Sequence, residues 1–221
     1  MALDLRKAKA ALRARLTATV FATTGSVALA ATASGYTRAS GSFVDDGFVP
    51  GMEVTPSGFS SNVTDLITAV SATTLTTKNT HPVQASSAGR TLAVSLPARR
   101  AFDGAKLEQV PGVPSMREAF VHATGELVTS GPDGGHESHT MAYLITLYMP
   151  DVYGADPLDA MATVLTQRFA SGTKVGAGPV VSVRFNPGPF AGQALPADTP
   201  GFLYRLITVP CRADVRATRS A

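Results

Sequence analysis

Chemistry is sought first where histidines and carboxylates crowd together, and His136-Glu137-Ser138-His139 is the densest such stretch. Imidazole nitrogens and a carboxylate are zinc ligands, and His122 would approach if its strand paired with theirs. The two outer histidines are three positions apart, not the four of a helical H-E-x-x-H, and glycines surround them. The spacing predicts a polar loop tip, not a metal centre. Asp45-Asp46, with Glu53 nearby, offers oxygen ligands for Ca²⁺ but lacks the D-x-D-x-D-G order. A β-turn over Asp45-Asp46-Gly47 accounts for those residues. Cys211 is the single cysteine, so a disulfide framework and a cysteine-based zinc cluster are excluded. Beside an apolar strand it is expected to be buried and inert, not a nucleophile. There is no Gly-rich phosphate loop, no dinucleotide fingerprint and no G-x-S-x-G elbow. Asn62-Val63-Thr64 is a glycosylation sequon that matters only on a secretory route. No catalytic residue, cofactor or metal is expected, and the chain is read as something other than an enzyme.

The charges narrow the partners. The net charge of the 221 residues is +3, but residues 1–15 carry +4 and residues 212–221 carry +2, leaving −3 for the body between. Basic ends on an acidic body do not grip a duplex, and no aromatic interleaving or helix-turn-helix context accompanies them. The basic start followed by LTATVFATTGSVALAATASG resembles a secretory signal. Its threonines blunt the apolar stretch, however, and Leu5, Ala8, Leu12 and Leu16 recur at helical spacing. An amphipathic helix over about residues 3–20 is expected instead. No run reaches the ~18 apolar residues that span a bilayer, so no membrane partner is expected.

These side chains need a scaffold, and the chain divides by composition. Residues 23–95 hold 24 Ser or Thr in 73 positions and only seven charged side chains, which sets them apart from the C-terminal half. Short strands are predicted at Val27–Ala30, Phe43-Val44, Met52–Val54, Leu66–Val70 and Thr74–Thr77, with turns where Gly and Pro cluster. A small sandwich or open barrel is expected there. From Leu96 the pattern is α+β. Strands are expected over Met116–Gly125 and Thr140–Met149, joined by a long mobile loop, Glu126–His139. A helix over about Pro157–Ala170, with Asp156 as N-cap, presents Leu158, Met161, Ala162, Leu165 and Phe169 on one face. Strands over Pro179–Phe185 and Phe202–Val209, the latter extending through Cys211–Val215, flank a second long loop, Asn186–Gly201.

Without residues 23–95, the order is recognisable. A short helix leads to Leu96-Pro97-Ala98-Arg99-Arg100-Ala101-Phe102-Asp103-Gly104, then a strand, a Gly-rich loop and a strand ending Tyr148-Met149-Pro150. A helix with Leu165 and Arg168-Phe169, a strand, a Pro-rich loop and the closing strand Tyr204–Pro210 come next. This order resembles the tail terminator (tail completion) proteins of long-tailed bacteriophages. Separately, Thr37–Phe43, Asp46-Gly47-Phe48, Gly51–Val54 and Gly58-Phe59 resemble a small β module of phage structural proteins, inserted after the first helix. The fold class implied is α+β: an antiparallel sheet packed by an N-terminal helix (residues 1–22) and one central helix, forming a core domain over 96–221, with an inserted all-β domain over 23–95. The resemblance implies a structural virion protein made in the host cytoplasm. It would form a homo-oligomeric, hexameric ring at the head-proximal end of the tail. Its partners would be the tail tube protein and a head-completion or connector protein, with DNA passing through the lumen without sequence-specific binding. The expected assembly loops carry Gly131, Asp133, Gly135, His136 and Glu137 in one, and Pro187, Phe190 and Pro196 in the other. The alternatives are another head–tail connector or tail-tube component, or a secreted β-rich binding protein.

Overall fold

A computed structural model describes residues 5–102, 104–131, 134–176 and 181–216 of the chain. It is mostly β, with two α-helices and two sheets. Helix α1 (Leu5–Thr17) buries Ala8, Leu12 and Leu16, four residues apart along one stripe, as helical periodicity requires. It ends at Thr17, short of the expected residue 20, while residues 3 and 4 lie outside the described residues. Its basic residues are less solvated than a bare amphipathic helix suggests. The Lys9 ammonium lies 5.0 Å from the centre of the Phe120 ring, and Arg15 donates from Nε to the carbonyl of Arg168 at 2.8 Å.

The first sheet is antiparallel throughout. Its strands are β1 (Ala22–Thr23), β2 (Leu29–Thr32), β3 (Gly35–Arg38), β4 (Met52–Ser57), β5 (Asp65–Val70), β6 (Thr74–Thr77), β7 (Gln84–Ser87) and β8 (Thr91–Pro97), in spatial order β1-β8-β4-β5-β6-β3-β2-β7. Alternation sends Leu29, Ala31, Met52, Val54, Leu92, Val94 and Leu96 inward. Phe43-Val44 is not a strand. It opens a turn in which Phe48 N–H returns to the Phe43 carbonyl, and Phe43 enters the core as a turn residue. Asp46 in that turn accepts from Arg38 at 2.6 Å, while the Arg38 guanidinium lies 5.0 Å from the Phe43 ring centre. Asp46 therefore anchors a cation of the chain itself.

The second sheet is mixed. Strand β9 (Arg99–Ala101) runs parallel to β10 (Ser115–Gly131), which pairs with β11 (Gly134–Pro150). Helix α2 (Asp156–Arg168) comes next, then β12 (Lys174–Gly176), β13 (Val181–Phe185), β14 (Phe190–Ala191), β15 (Leu195–Pro196) and β16 (Phe202–Arg216). The order is β12-β13-β16-β11-β10-β9, with β14 and β15 pairing separately on β16. The helix starts one residue earlier than expected: Ala155 is the N-cap, Asp156 is the first helical residue, where its charge favours the positive end of the helix dipole, and Pro157 follows in the first turn. The apolar face of α2 is buried, and Phe169 just beyond it is fully enclosed.

One expected loop is instead β structure, and the other is a loop that carries two short strand pairings. Glu126–His139 is strand on both sides of residues 132 and 133, which lie outside the described residues: β10 runs to Gly131 and β11 restarts at Gly134. The physical reason is non-local. Strand β16 continues to Arg216 and supplies β11 with a second ladder from His136↔Arg216 onward, which local turn propensity cannot register. Asn186–Gly201 is likewise tied down, with Phe190↔Thr208 and Pro196↔Leu203 pairing against β16. The buried apolar side chains form one contiguous cluster, from Leu12 and Leu16 through Leu92 and Val94 to Tyr143, Leu165 and Val209. The sheets meet where Gly51, at φ 85°, brings its backbone against Pro114; a Cβ there would lie 2.6 Å from the proline ring.

Candidate interaction site

The two faces of the second sheet differ. On one, Met141, Tyr143, Ile145, Leu147 and Met149 of β11 alternate with Ile207, Val209, Cys211 and Ala213 of β16, all buried against the core. The intervening residues point the other way, and no helix among the described residues covers them. Register sets those residues in rows: Arg117–Thr146–Leu206 in one and Ser115–Tyr148–Tyr204 in the next. The Tyr148 and Tyr204 rings sit 6.2 Å apart between centres, inclined at 36°.

Two loops raise walls around these rows. Residues 104–109 follow β9 on one side, and Ala197–Thr199 follow β15 on the other. The groove between them has a volume of about 590 Å³, with Arg117, Thr146, Tyr148, Tyr204 and Leu206 as its floor. Arg117 and Lys106 have no ion-pair partner among the described residues. Burial pushes the Tyr148 phenol above its ordinary range; the neighbouring Arg117 cation opposes that rise, and Asp198 and Tyr204 add to it. Two buried polar atoms lack a hydrogen-bond partner among the described residues. They are Oε1 of Gln109, a residue of the groove wall, and the hydroxyl of Ser115, which is fully buried and pairs with Tyr148 without lining the groove. An unsatisfied buried group costs about 1–3 kcal/mol.

Beyond the groove the bare face continues outward along the sheet. Val121 is 49% exposed there, Leu206 on the groove floor is 36% exposed, and at the margin Phe190 and Leu195 are 59% and 45% exposed. Strand β10 pairs with β9 only through residues 115–117, so its outer edge beyond Arg117 has no strand beside it among the described residues. An exposed strand edge is a template for another chain unless something covers it.

Other polar clusters serve the fold. Glu118 is fully buried on the core face, accepting from Tyr143 Oη and from Arg13 of α1. In the first sheet, Thr77, His81 and Asp65 look at first like a nucleophile–base–acid relay. Thr77 Oγ1 and Asp65 Oδ2 both approach the same nitrogen, Nε2 of His81, at 2.7 and 3.2 Å, while Nδ1 faces Tyr36 Oη at 3.3 Å. A relay needs opposite nitrogens for base and orienter, so this arrangement secures a loop. His122 Nε2 and His139 Nδ1 do approach to 3.3 Å across the hairpin. No group of three or more His, Cys, Asp or Glu positioned for a metal occurs among the described residues. Cys211 is buried on the core face and its thiol is pushed up to about 12 by desolvation, against a small opposing effect of the Tyr143 backbone.

The anticipated assembly residues are scattered. Gly131 ends β10, Gly135, His136 and Glu137 lie in β11, and Asp133 falls outside the described residues. Of the second group, Phe190 and Pro196 are exposed strand residues flanking the bare face, and exposed Pro187 follows a cis peptide bond. The groove residues Lys106, Gln109, Arg117, Tyr148 and Tyr204 were not anticipated. The available signal was that Thr146, Tyr148, Tyr204 and Leu206 alternate with the core-facing set, giving both faces of the strands bulky side chains.

No family model matches the chain, and no curated protein matches it. A solved structure aligns over 57% of this chain and 83% of its own length at 17% identity with a TM-score of 0.39, a likeness too slight to carry an argument. Among the described residues no helix is long and apolar enough to cross a membrane.

Proposed function

We propose that this chain is a structural subunit that works by association. It resembles phage tail terminator proteins in the order of its elements, and would form a ring at the head-proximal end of a tail, cap the tube and present the head-docking surface. The observation that carries this reading is the second sheet: core packing covers one face, while the other is bare and bordered by a strand edge without a neighbour among the described residues. A monomer rarely leaves so much apolar sheet exposed without a partner for it. A ring uses two different patches on each subunit, and the bare face and the β10 edge are two such patches. On this reading residues 23–95 are an insertion into the terminator plan. They add the first sheet without interrupting α1, the β10–β11 hairpin, α2 or β16. The hairpin would enter assembly as a formed β arm and not as a loop that orders on contact, so little conformational entropy would oppose association.

Sedimentation velocity and negative-stain imaging of the purified chain, alone and mixed with tail tubes, test the reading. Closed rings that seat on tube ends are expected. A chain that stays monomeric with tubes present, or that is missing from purified virions, overturns it.

A further inference from the structure

We propose that the groove on the bare face of the second sheet is a docking site for an extended segment of a partner protein that carries an acidic side chain. Arg117 on the floor and Lys106 in the wall are cations without ion-pair partners among the described residues, and the hydroxyls of Tyr148 and Tyr204 add donors beside them. A carboxylate fits that set, and arginine presents it with a two-pronged donor. The groove also offers an acceptor to its occupant, because the Asp198 carboxylate stands in the opposite wall.

This combination selects a polypeptide over a nucleic acid. A phosphodiester chain brings a negative charge at every phosphate, and Asp198 repels it. A peptide backbone alternates N–H and C=O, and so answers both kinds of group. Leu107 and Leu206 supply apolar contact in the cleft lining. The volume of about 590 Å³ lies within the roughly 300–1,000 Å³ of typical ligand clefts. Docking here goes beyond ring formation and does not require it, because one chain contains the whole groove.

The test is titration of the isotope-labelled full chain, followed by NMR, with three probes. They are an end-capped Val-Glu-Val-Glu-Val peptide, its Val-Lys-Val-Lys-Val counterpart, and an oligothymidylate. The acidic peptide is expected to shift the amides of Arg117, Thr146, Tyr148 and Tyr204 in a saturable way. Arg117→Gln and Lys106→Gln, both at exposed positions, are each expected to weaken it about tenfold while leaving the rest of the spectrum in place. The inference is overturned if the basic peptide or the oligothymidylate binds at these residues as tightly as the acidic peptide, if no peptide shifts them, or if neither variant changes the affinity. A monomeric chain that binds the acidic peptide would sink the ring and leave the groove standing.

Discussion

The Tyr143 hydroxyl donates a 2.5 Å hydrogen bond to Oε2 of Glu118, and neither side chain reaches solvent. Arg13 of α1 closes on the other carboxylate oxygen, so one buried charge fastens the first helix to the middle of the second sheet. Desolvation, and then the neighbouring Glu118, push the phenol far above its ordinary range, which keeps Tyr143 a donor. Glu118→Ala is expected to cost about 1–3 kcal/mol in urea melts, because it leaves the buried Tyr143 hydroxyl without its acceptor, while the partly exposed Arg13 regains water. Tyr143→Phe is expected to cost about 1–3 kcal/mol. Small effects in both variants would mean the contact is incidental.

Phe169 meets Tyr143 edge-on at 5.9 Å and Phe185 at 5.3 Å, and is fully buried. Phe169→Ala is expected to lower stability by about 3–5 kcal/mol. Equilibrium denaturation checks this, and a loss below ~1 kcal/mol would contradict the packing.

Much of this was legible in the sequence where periodicity is local. Leu158, Met161, Leu165 and Phe169 recur at helical spacing, and the alternation in β16 carried its extension through Cys211. The hairpin arm was hidden because its strand character depends on β16, which lies far along the chain. The groove was hidden for a related reason: Arg117, Thr146 and Leu206 become neighbours only through register across three strands. Side-chain type announced a core but not which residues would line up on the face turned away from it.

Gly51 combines φ of 85° with close approach to Pro114. Gly51→Ala therefore meets backbone strain and a steric clash together, and a loss of about 1–3 kcal/mol is expected. Gly89 shares the positive φ but has nothing within 4 Å of an added Cβ, so Gly89→Ala should cost less. Thermal melts of the two variants separate the two contributions.

Acid should loosen the first sheet. Burial alone would raise the Asp65 carboxyl, but bonds from Asn79, Leu66 and Thr77 and the charge of His81 outweigh it, and the net shift is downward from 3.8. A carboxyl depressed in the folded state contributes stability that is fully present above its unfolded value and is lost as pH falls through its folded one. Urea midpoints should therefore fall more steeply below about pH 3.8 for the wild type than for Asp65→Asn. Parallel acid limbs would show that Asp65 contributes nothing.

Cys211, buried with its thiol raised to about 12, should resist a thiol-reactive probe in the native chain and react once urea unfolds it. Rapid labelling without denaturant would place it outside the core.

Strand β16 comes after every other strand of its sheet in the chain, yet it borders β11, β13, β14 and β15. During translation, the apolar row on β11 must therefore wait for β16 to leave the ribosome before its ladder is complete. Until then the nascent chain exposes a sticky half-sheet, and synthesis rate and chaperone supply, more than final stability, would set how much of this protein reaches its native state.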